Sequence, residues 1–223
     1  MHAPKQHNWT GHLRIELGWA HYRGPIGDSR RHAHYATQLV FSQRVAILGP
    51  DGERLSSAAS VRAIPSGVPH QIQSASAIND LIFLEPSVLA GVWTQLEETH
   101  GHITAESVVG QLERRPGARL PARFRSILEC PDAALPPGFS ARDASERLGI
   151  SRAHFSHLFR RDMGLPFRQW VLWTRLNQSV RRVLSGEDHT QAALSAGFSD
   201  SAHLARTMRR MFGISLSALR PTR

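Results

Sequence analysis

Three histidines and one glutamine in the N-terminal half have the residue types and the spacing of a transition-metal site. His32 and His34 are separated by one residue, and Gln38 follows four positions later. Because these three positions share parity, an extended strand points all three side chains to one face. The turn-forming segment 65–69, Pro-Ser-Gly-Val-Pro, would deliver His70 from a neighbouring strand. Three imidazoles and an amide oxygen suit a divalent ion such as Zn, Ni, Fe, Mn or Cu.

The same four residues have a second interpretation. A His-x-His pair on a strand can line a pocket for a small organic effector without holding a metal. Gln38 supplies no negative charge, so a divalent cation bound there would attract an anionic ligand or hydroxide. The sequence therefore predicts either a metal ion or a small organic effector in this part of the chain.

The second chemical signal is an excess of positive charge towards the C-terminus. The chain has 223 residues and a formal net charge of +9. Residues 1–130 hold 13 Lys and Arg against 11 Asp and Glu, whereas residues 131–223 hold 14 against 7. A basic excess in one part of a chain favours a polyanionic partner there, such as double-stranded DNA.

An internal repeat lies in this basic part. An apolar pair four residues apart, an arginine pair and a glycine recur at an offset of 49 residues. Each copy follows a short segment of the form Gly-x-Ser, which predicts two helix–turn–helix units whose apolar pair packs the second helix onto its own core. The two copies are Phe155-x3-Phe159-Arg160-Arg161-x-Met163-Gly164 and Leu204-x3-Met208-Arg209-Arg210-x-Phe212-Gly213.

The segment between the two copies predicts one long helix. Pro166 suits the first helical turn, and apolar residues then recur at helical spacing as far as Leu184. About nineteen residues at ~1.5 Å each give a rod of roughly 28 Å. Successive major-groove segments on one face of DNA lie about 34 Å apart. A stiff helix of this length can hold two recognition helices one DNA turn apart.

Turn signals and helical spacing divide the rest of the chain. Turns every 8–12 residues between Leu13 and Phe83 predict short strands, hence a β-sandwich or barrel. The spacing of apolar residues then predicts helices over 88–96, 106–114 and 121–129. Three prolines and a glycine within Pro131 to Gly138 predict a linker. The predicted fold is α+β with two domains, residues 1–130 and residues 139–223.

The repeat resembles the AraC-type DNA-binding domain from about Phe139 to Arg220. Two departures concern packing: Leu216 stands where the family usually has proline, and Leu204 and Met208 replace a usual phenylalanine pair. The most specific part of the resemblance is Gly197-Phe198-Ser199-Asp200-Ser201, then Arg206, Arg209-Arg210 and Phe212-Gly213-Ile214-Ser215.

The histidine segments are similar to the two motifs of cupins, in which the position of Gln38 is more often glutamate. The resemblance implies a cupin-like β-barrel with C-terminal helices, followed by an all-α double helix-turn-helix domain. Cupin barrels attached to AraC-type domains often contain no metal, so both interpretations of the histidines stay open.

The AraC-type resemblance also implies which residues contact DNA. Arginine can pair with guanine through two hydrogen bonds, and Ser and His can donate to base edges, whereas alanine can only touch a thymine methyl group. The implied base-reading residues are Arg152, Ala153, Ser156 and His157 in the first unit and Ser201, Ala202, His203 and Arg206 in the second. The implied phosphate contacts are Arg160, Arg161, Arg209 and Arg210.

These observations predict a transcription regulator whose cupin-like domain senses a small ligand or metal ion. The alternative is a metal-dependent cupin enzyme, an oxygenase or isomerase, tethered to DNA; a structural chromatin protein leaves the N-terminal half unexplained. No motif supplies a second catalytic group, so we predict no enzymatic activity and no catalytic residues. The helix over 88–96 can cover either a second subunit in a homodimer or its own barrel.

The sequence also gives expectations about the cellular location of the protein and about disulfide bonds. The chain lacks an apolar run of the roughly 20 residues that a membrane span needs, and its first residues lack the apolar core of a signal peptide. Cys130 is the single cysteine, which excludes an internal disulfide. We therefore expect a cytoplasmic protein without a membrane partner.

Overall fold

The chain divides into two units in a computed structural model. The first unit combines residues 1–117 with residues 208–223, and the second spans residues 118–207. Within the described ranges, no helix combines the length and the apolar character needed to cross a bilayer. The described residues are 9, 11–16, 18–42, 45–55, 61–73, 75–86, 88–89, 103–114, 121–128, 135–136 and 138–215.

The first unit is rich in antiparallel β-structure, as the turn spacing predicts. Its described strands are β1 His12–Glu16, β2 Trp19–Ile26, β3 Thr37–Phe41, β4 Ile47–Leu48, β5 Arg62–Ile64, β6 Gln71–Ile72 and β7 Ala75–Leu84. Five strands form one sheet in the order β1-β2-β7-β3-β5, and β4 pairs with β6 in a second sheet. The described strands thus form two sheets, and the predicted closure into one barrel is not seen among them.

The core of the first unit lies between the larger sheet and a helix. Buried apolar residues of β2, β3 and β7, among them Trp19, Leu39 and Ile82, pack against Val108 and Leu112. The last two belong to α1, Ala105–Arg114, so the helix predicted over 106–114 is confirmed with its start one residue earlier. Only half of the residues in this amphipathic helix need to be apolar to cover the sheet.

The helix predicted over 88–96 falls largely outside the described residues. Of its apolar stripe, Val88 and Leu89 are described, and both pack partly buried against the core of the first unit. Trp93 and Leu96 lie outside the described residues, as does Cys130. Dimerisation through this helix therefore stays a prediction.

The second unit is helical. Its helices are α2 Ala122–Leu128, α3 Ala141–Arg147, α4 Arg152–Met163, α5 Phe167–Leu184 and α6 His189–Ser195, and α7 Ser201–Phe212 begins in it. Side-chain caps fix where the helices start: Ser140 and Asp143 form a reciprocal capping box at α3, and Ser151 accepts a hydrogen bond from the His154 N–H at α4. Helix α3 packs on α4, and α5 packs on α6.

Aromatic side chains form the core behind α4, the first of the two predicted recognition helices. Phe155 and Phe159, the predicted apolar pair, are fully buried and contact the ring of Phe167 at centroid distances of 5.1 and 5.0 Å. Phe124 of α2 lies 5.2 Å from Phe159, so this helix belongs to the same core. Leu204 of α7 is fully buried as well. The replacement of the family's phenylalanine pair in the second copy therefore keeps an apolar residue in the interior.

The long helix between the two copies is confirmed. Helix α5 runs without interruption for 18 residues, with Pro166 immediately before it. At ~1.5 Å per residue its length is about 27 Å. Its buried face includes Trp170, Trp173 and Leu176, so packing as well as backbone hydrogen bonding stabilises it.

Candidate metal centre and nucleic-acid interface

The backbone brings the two histidine segments directly opposite each other. His32 and His70 form an antiparallel bridge, in which each N–H donates to the other's carbonyl oxygen at 2.9 and 2.8 Å. The Gly67 N–H donates to the His34 carbonyl oxygen at 2.9 Å, which fixes the turn that precedes His70. The prediction that this turn delivers His70 to the other histidines is confirmed.

The predicted alignment of His32, His34 and Gln38 by strand alternation is wrong. Parity along one strand was expected to align positions 32, 34 and 38, but β3 begins only at Thr37, and the chain bends at Tyr35 and Ala36. His32 and His34 therefore lie in the connection from β2 to β3. Their side chains meet Gln38 because the bend and the bridge to His70 turn them towards it, and not because of strand alternation.

The four side chains converge in the interior of the first unit. His32, His34, Gln38 and His70 are all buried, and His70 and Gln38 are 0% and 1% exposed. One nitrogen of each histidine lies within 4.8 Å of a nitrogen of the other two. The Gln38 Oε1 atom lies 3.0 Å from Nε2 of His34 and 3.0 Å from Nε2 of His70. Among the described residues this is the cluster whose donor atoms are close enough to share one ion.

Backbone carbonyls determine which nitrogen of each ring carries the proton. Nδ1 of His32 lies 2.8 Å from the Arg30 carbonyl oxygen, and Nδ1 of His70 lies 2.9 Å from that of Val68. Nδ1 of His34 is 2.6 Å from the Ala36 carbonyl oxygen. A carbonyl oxygen can only accept, so each Nδ1 carries a hydrogen and donates it. In a neutral ring the lone pair is then on Nε2, which is the tautomer of a metal-binding histidine.

Burial keeps the three rings neutral. Burial, together with the neighbouring histidines His70 and His34, lowers the pKa of His32 to about 3. Burial and His70 lower the pKa of His34 to about 4, and burial also lowers the pKa of His70. A neutral imidazole is the form that binds a metal, so no proton has to be displaced from Nε2 at neutral pH.

The environment of Gln38 fits a cation at the centre of the cluster. Its Oε1 atom faces two Nε2 lone pairs, so no hydrogen lies between these atoms. Its Nε2 atom is buried and has no hydrogen-bond partner among the described residues. Exchanging the amide oxygen and nitrogen would give the histidines two donors but would leave the buried carbonyl oxygen without a partner. A divalent cation accepts electron pairs from the amide oxygen and the three Nε2 atoms together, which removes the repulsion between them.

Two phenylalanines lie beside the histidines, and the sequence did not identify either as part of the site. The ring of Phe83, opposite Gln38 in the β3–β7 register, lies 5.3 Å from the His34 ring. The ring of Phe212, at the end of α7, lies 6.3 Å from His34 and 5.7 Å from Phe83. These rings make one side of the cluster apolar, which strengthens electrostatic interactions within it.

The structure places the predicted DNA contacts of the first recognition helix on its exposed face. Ser156 donates from its hydroxyl group to the Arg152 carbonyl oxygen at 2.8 Å, and Arg161 pairs with Asp162 at 2.9 Å. The opposite face carries Phe155 and Phe159, so the helix is divided cleanly between core and solvent. The exposed predicted residues are Arg152, Ala153, Ser156, His157, Arg160 and Arg161.

The second recognition helix has the same division but different local bonds. Asp200 accepts a hydrogen bond from the His203 N–H at 2.6 Å, and the His203 ring lies 3.2 Å from the Ser199 hydroxyl and against Phe198. His203 is thus held within its own turn and is only partly exposed. Ser201 is also partly exposed, whereas the fully exposed predicted residues are Ala202, Arg206, Arg209 and Arg210.

Comparison with known families identifies the helical part of the chain. Residues 144–222 match the model of a family described as a helix-turn-helix domain. This part of the chain is therefore similar to a helix-turn-helix domain. The matched range holds both predicted recognition helices, which confirms the resemblance of this part to the AraC-type domain. Leu216, the other departure from the family, lies outside the described residues.

Some solved structures resemble nearly the whole chain, and others resemble less than half of it. ToxT from Vibrio cholerae is 9% identical, with a TM-score of 0.56 over 92% of this chain and 97% of that one, so both units share its fold. An AraC-type transcriptional regulator from Chromobacterium violaceum is 26% identical over 42% of this chain and 81% of that one, with a TM-score of 0.37. The DNA-binding domain of the transcriptional factor AdpA, solved with a target DNA, is 28% identical over 37% and 75%, with a TM-score of 0.34. The comparison with curated proteins gives no match.

Proposed function

We propose that this chain is a sequence-specific DNA-binding transcription regulator whose β-rich, cupin-like domain senses a divalent transition-metal ion. The helix-turn-helix match and the exposed arginines of α4 and α7 support the DNA-binding part. One observation carries the metal part: each of the three buried histidines donates its Nδ1–H to a backbone carbonyl, so that its Nε2 lone pair is available to an ion.

The donor set narrows the choice of ion. His32, His34 and His70 would supply three imidazole nitrogens, and Gln38 would supply one neutral oxygen. Imidazole suits Zn, Cu, Ni and Fe, whereas Mn prefers carboxylate and other oxygen ligands. No carboxylate belongs to the cluster within the described residues. We therefore place Mn last among the ions that the sequence predicts, and we expect the uncompensated charge to draw an anion to the bound cation.

On DNA, the two recognition helices would divide the work between base edges and phosphates. Arg152 and Arg206 stand near the start and the middle of their helices and have the donors to pair with guanine in the major groove. Arg160, Arg209 and Arg210 lie in the last turns and would contact phosphates, which positions the helices without reading sequence. Arg161 would contribute less, because Asp162 already pairs with it.

A regulator also explains the chain better than an enzyme does. Two of the named structural neighbours are described as a transcriptional regulator and a transcriptional factor. No motif of the sequence supplies a second catalytic group beside the histidines. The enzyme alternative would require turnover that depends on the bound metal, and the proposed function requires only that metal changes DNA binding.

Metal analysis of the full chain tests the sensor part of this proposal. The protein is loaded with Zn²⁺, dialysed against buffer without chelator and measured by inductively coupled plasma mass spectrometry. We expect one equivalent of metal in the wild type and in His12→Ala, an exposed histidine of β1, and well under half in His32→Ala and His70→Ala. Equal metal content in all four proteins would contradict a metal site at the histidines and favour an organic effector.

A further inference from the structure

The end of the second recognition helix lies beside the histidine cluster. Residues from 208 onward belong to the first unit, although α7 begins in the second. Phe212, the last residue of α7, places its ring near His34 and Phe83. The carbonyl oxygen of Gly213 accepts a hydrogen bond from the Arg30 N–H at 2.8 Å. The helix end therefore contacts the same short segment that carries two of the proposed ligands.

The approach at Gly213 is too close for any side chain. Its φ is +69°, in the left-handed region that favours glycine. A Cβ atom at this position would collide with the Arg30 carbonyl oxygen and would lie 2.6 Å from Nδ1 of His32. A real Cβ atom would have to displace one of these two atoms, and a hydrogen bond joins them to each other. The position of the helix end and the position of the His32 ring are thus mutually constrained.

The backbone of Arg30 connects the end of α7 to the His32 ring. Its N–H donates to Gly213, and its carbonyl oxygen accepts the Nδ1–H of His32. Both bonds involve the peptide groups of one residue, so a shift of the helix end moves the group that orients a ligand ring. Carbonyls that hold metal-binding histidines in this way typically change metal affinity 10–100-fold when they are disturbed.

The corresponding residue of the first copy lies in the other unit. Met163 stands where the second copy has Phe212, and it is buried in the helical unit, which spans residues 118–207. The two copies therefore share a sequence pattern and a helix of 12 residues, but their ends have different surroundings. This difference would make the second recognition helix the one that responds to the site.

We propose that Phe212 and Gly213 are positioning residues of the metal centre, so that cation binding at His32, His34 and His70 is energetically coupled to DNA binding through α7. The inference rests on the proposed function, because it needs both a metal site and a DNA-binding helix. Coupling between two sites is reciprocal, so each ligand must change the affinity for the other by the same factor.

Cobalt titration of the full chain tests the positioning role. Co²⁺ bound to nitrogen and oxygen donors has visible ligand-field bands, which report both affinity and ligand arrangement. We expect Gly213→Ala to weaken Co²⁺ binding at least tenfold and to shift these bands. The control, Gly138→Ala, changes a glycine of similar φ, +77°, whose Cβ would meet nothing within 4 Å, and it should leave both unchanged. Phe212→Leu keeps an apolar side chain but removes the ring, and it should lower the affinity by a smaller factor.

DNA tests the coupling itself. The probe is a duplex selected from a random-sequence library by the metal-free wild type, and its affinity is measured with and without saturating Co²⁺. We expect a change of about fivefold or more in the wild type, the same factor in Co²⁺ affinity when DNA is saturating, and a reduced factor in Gly213→Ala.

The outcomes separate this inference from the proposed function. A wild type that binds Co²⁺ and DNA, with Co²⁺ affinity equal in all variants, would overturn the inference and leave the proposed function standing. A wild type that binds no Co²⁺, or selects no DNA sequence, would overturn the proposed function and the inference with it.

Discussion

The histidine cluster and the recognition helices bind by opposite physical means. The cluster is buried and uncharged, and its donor atoms are oriented by the carbonyl oxygens of Arg30, Ala36 and Val68. The recognition helices are exposed and cationic, and they present long arginine side chains to solvent. The first arrangement selects a ligand by preorganised donor geometry, whereas the second attracts any polyanion and selects a sequence only through a few side chains.

This difference predicts how substitutions weaken metal binding at the cluster and DNA binding at the helices. A buried site fails when one ligand or one orienting bond is lost, because its other polar atoms cannot find water instead. An exposed basic surface fails gradually, because each phosphate contact adds a similar and independent contribution. Substitutions in the two regions should therefore differ in size and in their response to salt.

The largest effect is expected at the cluster. Replacing His70 with alanine removes one of the three imidazole ligands and leaves a buried cation with two imidazole nitrogens and the Gln38 Oε1 atom. We expect Zn²⁺ affinity to fall more than 100-fold, beyond the 10–100-fold cost of losing an orienting bond. Competition with a chromogenic chelator measures it. A loss below tenfold would contradict ligation by His70.

A substitution at Gln38 should strengthen metal binding instead of weakening it. Glutamate at this position adds a negative charge to a neutral donor set, so Gln38→Glu should bind Zn²⁺ at least tenfold more tightly than the wild type and should accept Mn²⁺ better. The same competition assay measures both ions. A variant that folds normally but gains no affinity would show that residue 38 does not face the ion.

Next in size is the loss of a base-reading arginine. Arg206→Ala removes an exposed guanidinium from the middle of α7. We expect a cost of about 1–3 kcal/mol on the selected DNA and relaxed specificity at one base position, as for other arginine–guanine pairs. Fluorescence anisotropy with a panel of single-base variants of the probe measures both. An equal loss on every probe would reassign Arg206 to a phosphate.

Acid should weaken the fold of the metal-free protein through the buried histidines. The folded pKa values of about 3 for His32 and about 4 for His34 lie below the ordinary value of 6.5. Between these values the unfolded chain binds protons that the folded chain does not, so stability is lost as the pH falls below 6.5. The slope is at most about 1.4 kcal/mol per pH unit for each histidine.

Urea unfolding in the presence of EDTA at pH 7 and pH 5.5 measures this slope. His32→Gln removes one titrating group and should make the slope shallower, whereas the exposed control His12→Gln should leave it unchanged. A wild-type stability that does not fall between these two pH values would show that the cluster is not buried as described.

The smallest single effect is expected from a phosphate contact. Arg210→Gln removes one charge from the last turn of α7 while keeping a long polar side chain. We expect a loss of affinity that is uniform across DNA sequences and a salt slope smaller by about 0.9. Binding of Zn²⁺ at the buried cluster should show no comparable salt dependence in the same buffers. An unchanged salt slope would remove Arg210 from the interface.

The sequence predicted the helical unit more completely than the β-rich unit. Helical periodicity is local, so the apolar stripe from Pro166 to Leu184 predicted the bounds of α5 to within about a residue. The pairing of strands is not local, and nothing in the sequence showed that β7 lies between β2 and β3. The strand order of the two sheets depends on pairing between residues far apart in the sequence, which a local pattern does not show.

The metal site was predicted in its residues but not in its construction. The types and spacing of His32, His34, Gln38 and His70 were enough to bring them together as one hypothesis. The predicted reason, strand alternation, was wrong, because a bend before β3 brings the side chains together instead. The carbonyl oxygens that orient the histidines could not be predicted, because every residue has a backbone carbonyl and its residue type does not show what the carbonyl bonds to. Phe212 was assigned only to the repeat, and a repeat pattern does not report what its last residue contacts.

The proposed function requires that metal at the histidines change DNA binding at the helix-turn-helix domain. The affinity of the full chain for its selected DNA, measured with EDTA and with one equivalent of Zn²⁺ in the wild type and in His70→Ala, tests this requirement. We expect a change of about fivefold or more in the wild type and none in His70→Ala. Equal affinities with and without Zn²⁺ in a wild type that carries the metal would contradict it.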